Sequence, residues 1–91
     1  MKEKITIKLL ERGVKSTSRG FPVMVRCMEL AVPLNYVLVT KDIYPVIAKE
    51  QGVTAAAIEA RIRRTLVESG IRMTNLDFIT DFITKFNIEK S

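Results

Sequence analysis

Apolar side chains recur along this chain at spacings of three and four residues, in stretches cut at short intervals by Gly, Pro and Ser/Thr. That spacing lays an apolar stripe along one side of a helix; a half-buried strand would alternate every second residue. None of the stretches is long enough to be stable alone in water, so they must pack on one another. The reading is an all-α fold, a compact bundle of five to six helices. With 91 residues the chain makes one domain, residues 1–91, and is too short for two ordinary ones. It contains no internal repeat and no low-complexity segment.

The breaks place the elements. Residues 3–12 set Ile5, Leu9 and Leu10 on one side, and Gly13 follows as a helix stop. The alternation Ile5-Thr6-Ile7-Lys8 also fits the start of a strand; helix is preferred. Lys15 to Gly20 reads as a loop. Pro22 suits the first turn of a second helix, where its missing N–H costs nothing. Phe21, Met24, Cys27, Met28 and Ala31 form its stripe, and Pro33 ends it. Leu34 to Val39 reads as a short strand or a buried connector. Thr40 is the expected N-cap of the next helix, with Val39 and Tyr44 as its hydrophobic staple and Pro45 early in it. Ile43, Ile47 and Ala48 form its inner face, and Gly52 ends it. Thr54 caps a further helix, with Val53 and Ile58 in staple positions, that runs to about Ser69 before Gly70. Thr74 and Asp77, in capping-box spacing, open the last one. There Leu76, Ile79, Phe82, Ile83 and Phe86 make a stripe that must dock on the core or on a partner subunit.

The chain has no His and a single Cys, Cys27. That removes the Ser-His-Asp and Cys-His triads, the usual zinc ligands and the default general base near neutral pH. Cys27, on an apolar stripe, reads as a buried structural thiol. Asp77 and Asp81 read as acids complementing a helix dipole. No catalytic constellation survives, so the expectation is a protein that is not an enzyme and has no cofactor and no metal. The longest uncharged run, Leu30 to Thr40, is 11 residues, against the roughly 20 that span a membrane. The start does not read as a signal peptide. A cytoplasmic location with a reduced thiol is expected.

Lys plus Arg number 15 against 10 Asp plus Glu, a net charge of +5 that favours polyanionic partners. The first 20 residues hold Lys2, Lys4, Lys8, Arg12, Lys15 and Arg19 against Glu3 and Glu11. The informative segment, however, is residues 42–69: helix, short turn with Gly, helix. This is the layout of a helix-turn-helix. Ala48 suits a close crossing of the two helices, and Gly52 suits the turn. Around the second helix, Ala55, Ile58, Ile62, Leu66 and Ser69 fall on one face. Ala56, Ala57, Ala60, Arg63, Arg64 and Val67 fall on the opposite face, with Arg61 on the flank. Small residues let a helix approach a groove floor, and arginines reach guanine edges or phosphates. Thr54, at the N-terminus, sits where free N–H groups attract phosphate. Glu59 is placed to pair with Arg63 or to accept from a cytosine amine. Lys41, Lys49 and Arg72 are candidate phosphate contacts.

The run Lys41-Asp42-Ile43-Tyr44-Pro45-Val46-Ile47-Ala48-Lys49 resembles the Leu-Tyr-Pro-Asp-Ile-Ala-Lys-Lys run of the effector domain of the sporulation initiation factor family, the stage-zero response regulators of endospore-forming bacteria. Thr54-Ala55, Ile58-Glu59 and Ile62-Arg63 are similar to that family's recognition helix, and Asn75 to Lys90 to its final helix. The resemblance implies an all-α DNA-binding domain acting in transcription, often as tandem dimers. It also implies that Glu59 and Arg63 are recognition residues. Ala57 and Ala60 stand where arginines are expected, and Arg64 where the family has His. The chain carries no receiver-domain pattern, so no phosphorylated aspartate is expected.

The expectation is a sequence-specific regulator that binds double-stranded DNA, with recognition helix 54–69 in the major groove. A homodimer through the C-terminal helix, 75–87, and no membrane contact complete it. The alternative is a protein-interaction or dimerisation module derived from a helix-turn-helix, with little specific DNA reading.

Overall fold

The computed structural model describes residues 1–34 and 39–90. Among them the chain is all-helical and has no strand. Five α-helices are present: α1 (Lys2–Glu11), α2 (Phe21–Ala31), α3 (Tyr44–Gln51), α4 (Ala55–Glu68) and α5 (Asn75–Lys90). A 3-10 turn, Val32–Leu34, follows α2, and a π-helical turn, Val39–Ile43, leads into α3. The strand or connector expected over Leu34 to Val39 falls largely on residues 35–38, outside the described residues. The Cα radius of gyration, 11.9 Å, is close to the roughly 12 Å of a compact chain this long.

α2 is the hub, packed by α1, α3, α4 and α5. Its expected stripe is buried, and so are Val23 and Val25. A helix enclosed from several sides must be apolar beyond one stripe. Arg26, half-exposed on α2, points instead to Glu50 on α3, donating from Nε at 3.0 Å and from Nη2 at 2.7 Å. Pro33 does stop the α-helix, which ends at Ala31. Cys27 lies fully buried, and burial pushes its thiol up to about 12, so it stays protonated at neutral pH.

Helix ends follow local chemistry. Gly52 adopts φ +67°, a left-handed conformation that a side chain would penalise. Its N–H donates to Lys49 O, and Val53 N–H reaches back to Ala48 O at 3.0 Å. This double closure satisfies the last carbonyls of α3. The same pair of bonds ends α1, through Val14 to Leu9, and α4, through Ile71 to Leu66. Thr54 Oγ1 accepts from Ala57 N–H at 3.1 Å, and Thr74 Oγ1 from Asp77 N–H at 3.1 Å. Thr40 does not cap α3. It lies inside the π-helical turn, and the residue before α3 is Ile43. An N-cap needs a non-helical backbone, and the π turn continues directly into the helix.

The α5 stripe docks on the chain's own core. Phe78, Ile79, Phe82, Ile83 and Phe86 are buried, while Leu76 is 50% exposed. Phe78, one turn before Phe82, lies inward as its spacing implies, and Leu76 turns outward. The apolar face expected at a homodimer contact over 75–87 is therefore enclosed within one chain. Leu10, expected on the inner face of α1, is also exposed. Arg12 lies between α1 and α5, its guanidinium 4.9 Å from the Phe78 ring centre and 5.9 Å from that of Phe82. It pairs with Asp81, which Lys85 also approaches at 3.3 Å. Asp81 thus joins two helices rather than serving a helix dipole. No helix among the described residues is long and apolar enough to cross a membrane.

Candidate nucleic-acid interface

α4 presents two unlike faces. Ile58, Ile62, Thr65 and Leu66 are buried against the core. Ala56, Arg61, Arg63, Arg64 and Val67 are exposed, and Ala57, Glu59 and Ala60 are half-exposed. The expected separation therefore holds, with small residues in the first turns and guanidinium groups beyond them. Each arginine is held differently. Arg61 donates to Gln51 Oε1 at 2.8 Å. Arg63, its side chain 62% exposed, pairs with Glu59 at 3.2 Å, one turn back. Arg64 has no ion pair or side-chain hydrogen bond among the described residues.

Two recesses flank this ridge. On one side Glu59, Arg63 and Val67 face Tyr44, Arg72, Met73, Asn75 and Leu76. Asn75 fixes that flank, donating from Nδ2 to Glu59 O at 3.0 Å and to Tyr44 Oη at 3.4 Å. Tyr44 is buried, and burial raises its phenol to about 12. On the other side Ala57, Ala60, Arg61, Arg64 and Glu68 face Thr17, Ser18, Arg19 and Gly20.

The second flank is stitched to α4 by short polar contacts. Ser69 Oγ accepts from Lys15 N–H at 2.9 Å and donates to Thr65 O at 2.7 Å. Ser18 Oγ lies 2.7 Å from both Thr65 Oγ1 and Glu68 Oε1. Thr65 Oγ1 donates to Arg61 O at 2.9 Å. Gly20 presses against the same spot, where an added Cβ would collide with Thr65 Oγ1 and the Arg61 carbonyl. The turn therefore rides on the α4 backbone in a fixed register.

The structure brings together Arg63 and Arg72 on one flank, and Arg61 and Arg64 on the other. Lys41, on the π-helical turn, and Lys49, near the end of α3, are exposed but line neither recess. Thr54 and Ala56 lie at the N-terminal end of the ridge. Sequence reasoning missed Arg19, Ser18 and Thr65. The excess of basic residues in the first 20 was the available signal for Arg19, without any hint of its position beside α4. No protein-family model, curated protein or solved structure matches this chain.

Proposed function

We propose that the chain binds double-stranded DNA and regulates transcription, with α3 and α4 as a helix-turn-helix and α4 as the element that enters the major groove. The observation that carries this is the solvent face of α4. Arg64 projects from it opposite buried Ile58, Ile62 and Leu66, Arg61 and Arg63 flank it, and Ala56, Ala57 and Ala60 precede these arginines along the helix. Small side chains let the helix sink towards the base edges, and guanidinium groups then reach guanine or phosphate. Residues 52–54 join α3 to α4, and Thr54 leaves N–H groups at the tip for a phosphate. The segment resembling the sporulation initiation factor effector domain, Asp42 to Arg64, covers α3 and α4 as far as Arg64. Glu59, by pairing with Arg63, holds that guanidinium along the helix.

Selection of bound sites from a random duplex pool, followed by affinity measurement on the selected site, tests the reading. Arg63→Ala is expected to weaken specific binding by about 1–3 kcal/mol, with unchanged circular dichroism. Wild-type binding without sequence preference would sink it. That outcome favours the second reading, a protein-interaction module. One observation supports that module: Val67, Met73 and Leu76 are exposed around a single recess beside α4, with Val67 71% exposed.

A further inference from the structure

We propose that the recess between residues 17–20 and α4 seats the phosphates of one DNA strand, with Arg19, Arg61 and Arg64 as the contacting cations. This rests on the DNA-binding reading of α4 and adds a contact element outside the helix pair. The three arginines line one recess, and neither Arg19 nor Arg64 has an ion-pair partner among the described residues. Arg61 is bound only to the neutral amide of Gln51. The single acid there, Glu68, accepts from Ser18, so three guanidinium groups stand against one carboxylate. Cations in excess of the acids beside them repel, and an anion among them relieves that repulsion.

The shape favours a backbone over a base edge. Ala57 and Ala60 line the recess with single methyl groups, so an anion can come close to the α4 main chain. Thr17 and Ser18 line it from the turn. A helix with its side chains is about 10–12 Å across, and the major groove is about 12 Å wide. A helix lying in that groove therefore has a sugar–phosphate strand along each flank, and this recess is one flank. The hydrogen bonds from Ser18 and Lys15 to α4 keep Arg19 at a set position along it. Arg19 thus supplies affinity without reading sequence.

The test is fluorescence anisotropy of the full chain with a labelled duplex of random sequence and with the selected site, over about 50–200 mM salt. Arg19→Ala removes an exposed side chain that has no partner, so the fold is retained, as circular dichroism will verify. The expected result is weaker binding to both duplexes, with the slope of log affinity against log salt reduced by about 1. The preference between the two duplexes should stay unchanged. Ala60→Glu, which introduces a carboxylate beside these arginines on a helix-favouring side chain, is expected to weaken both duplexes more strongly. If both variants keep wild-type affinity and slope while Arg63→Ala still weakens the selected site, the phosphate seat is overturned and the DNA reading stands. If Arg19→Ala changes the sequence preference instead of the slope, Arg19 is a base reader and the seat is overturned. If the wild type shows no salt-dependent duplex binding, the DNA reading falls and this inference falls with it.

Discussion

The seam between α1 and α5 and the outer side of α4 both carry many charges, yet they use them differently. In the seam Lys8, Arg12 and Lys85 each face an acid. Lys8 lies 3.3 Å from Glu11 and 2.8 Å from Glu89, while Arg12 and Lys85 share Asp81. Beside α4 the arginines exceed the acids that meet them. Arg63 has Glu59, Arg61 has a neutral amide, and Arg19 and Arg64 have no ion pair among the described residues. Paired charge in the seam orients two helices. Surplus charge beside α4 leaves a field directed at solvent. Exposed ion pairs contribute little, typically about 0–1 kcal/mol, so the seam itself rests on its aromatic row. Phe78, Phe82 and Phe86 stack with ring centres 6.4 Å and 5.8 Å apart.

Removing the middle of that row breaks the comparison most severely. Phe82→Ala is expected to cost about 3–5 kcal/mol of stability, a fall in Tm of about 12 °C or more. Calorimetry measures the shift. DNA affinity per folded molecule should not change, because Phe82 lies away from α4's outer face. An affinity loss without a Tm shift would show that the two regions are not separate in role.

Gly20→Ala acts on the α4 side. The new methyl meets the Arg61 carbonyl, a backbone group that cannot swing aside. The expected cost is about 1–3 kcal/mol, read by chemical denaturation. The turn must also shift off α4, so the salt dependence of DNA binding should flatten as it does in Arg19→Ala. Wild-type stability would mean that the turn does not ride on α4 as closely as the geometry indicates.

The smallest effect sharpens the seam. The hydrogen bond from Arg12, aided by Lys85, holds the Asp81 carboxyl below its ordinary value. A carboxyl depressed on folding adds stability above its unfolded pKa, about 3.9. That contribution disappears as pH falls through the lower folded value. Stability measured against pH should therefore decline more steeply below about pH 4 in the wild type than in Asp81→Asn. Identical acid profiles would remove Asp81 from the account of the seam.

Much of this was legible in the order of residues. The stops at Gly13, Gly52 and Gly70, the caps at Thr54 and Thr74, and the inward set Ile58, Ile62 and Leu66 all follow from interactions within one or two helical turns. So does the Glu59–Arg63 pair. The face of α4 that bears Arg63 and Arg64 was legible for the same reason: once the apolar side is assigned, periodicity fixes the other. Periodicity alone could not turn Leu76, where α5 begins, or Leu10 outward.

What the chain order determined by itself was helix, helix end and helix face, because each is set by hydrogen bonds and side-chain spacing between near neighbours. The enclosure of Val23 and Val25 was decided only when four helices closed around α2. Likewise, Arg12 found Asp81 69 residues away, and Ser18 found Thr65 47 residues away. The placing of Arg19 beside Arg61 and Arg64 belongs to the same class. Such contacts depend on which surfaces fit once the apolar stripes are buried together, and no spacing in the chain encodes that fit.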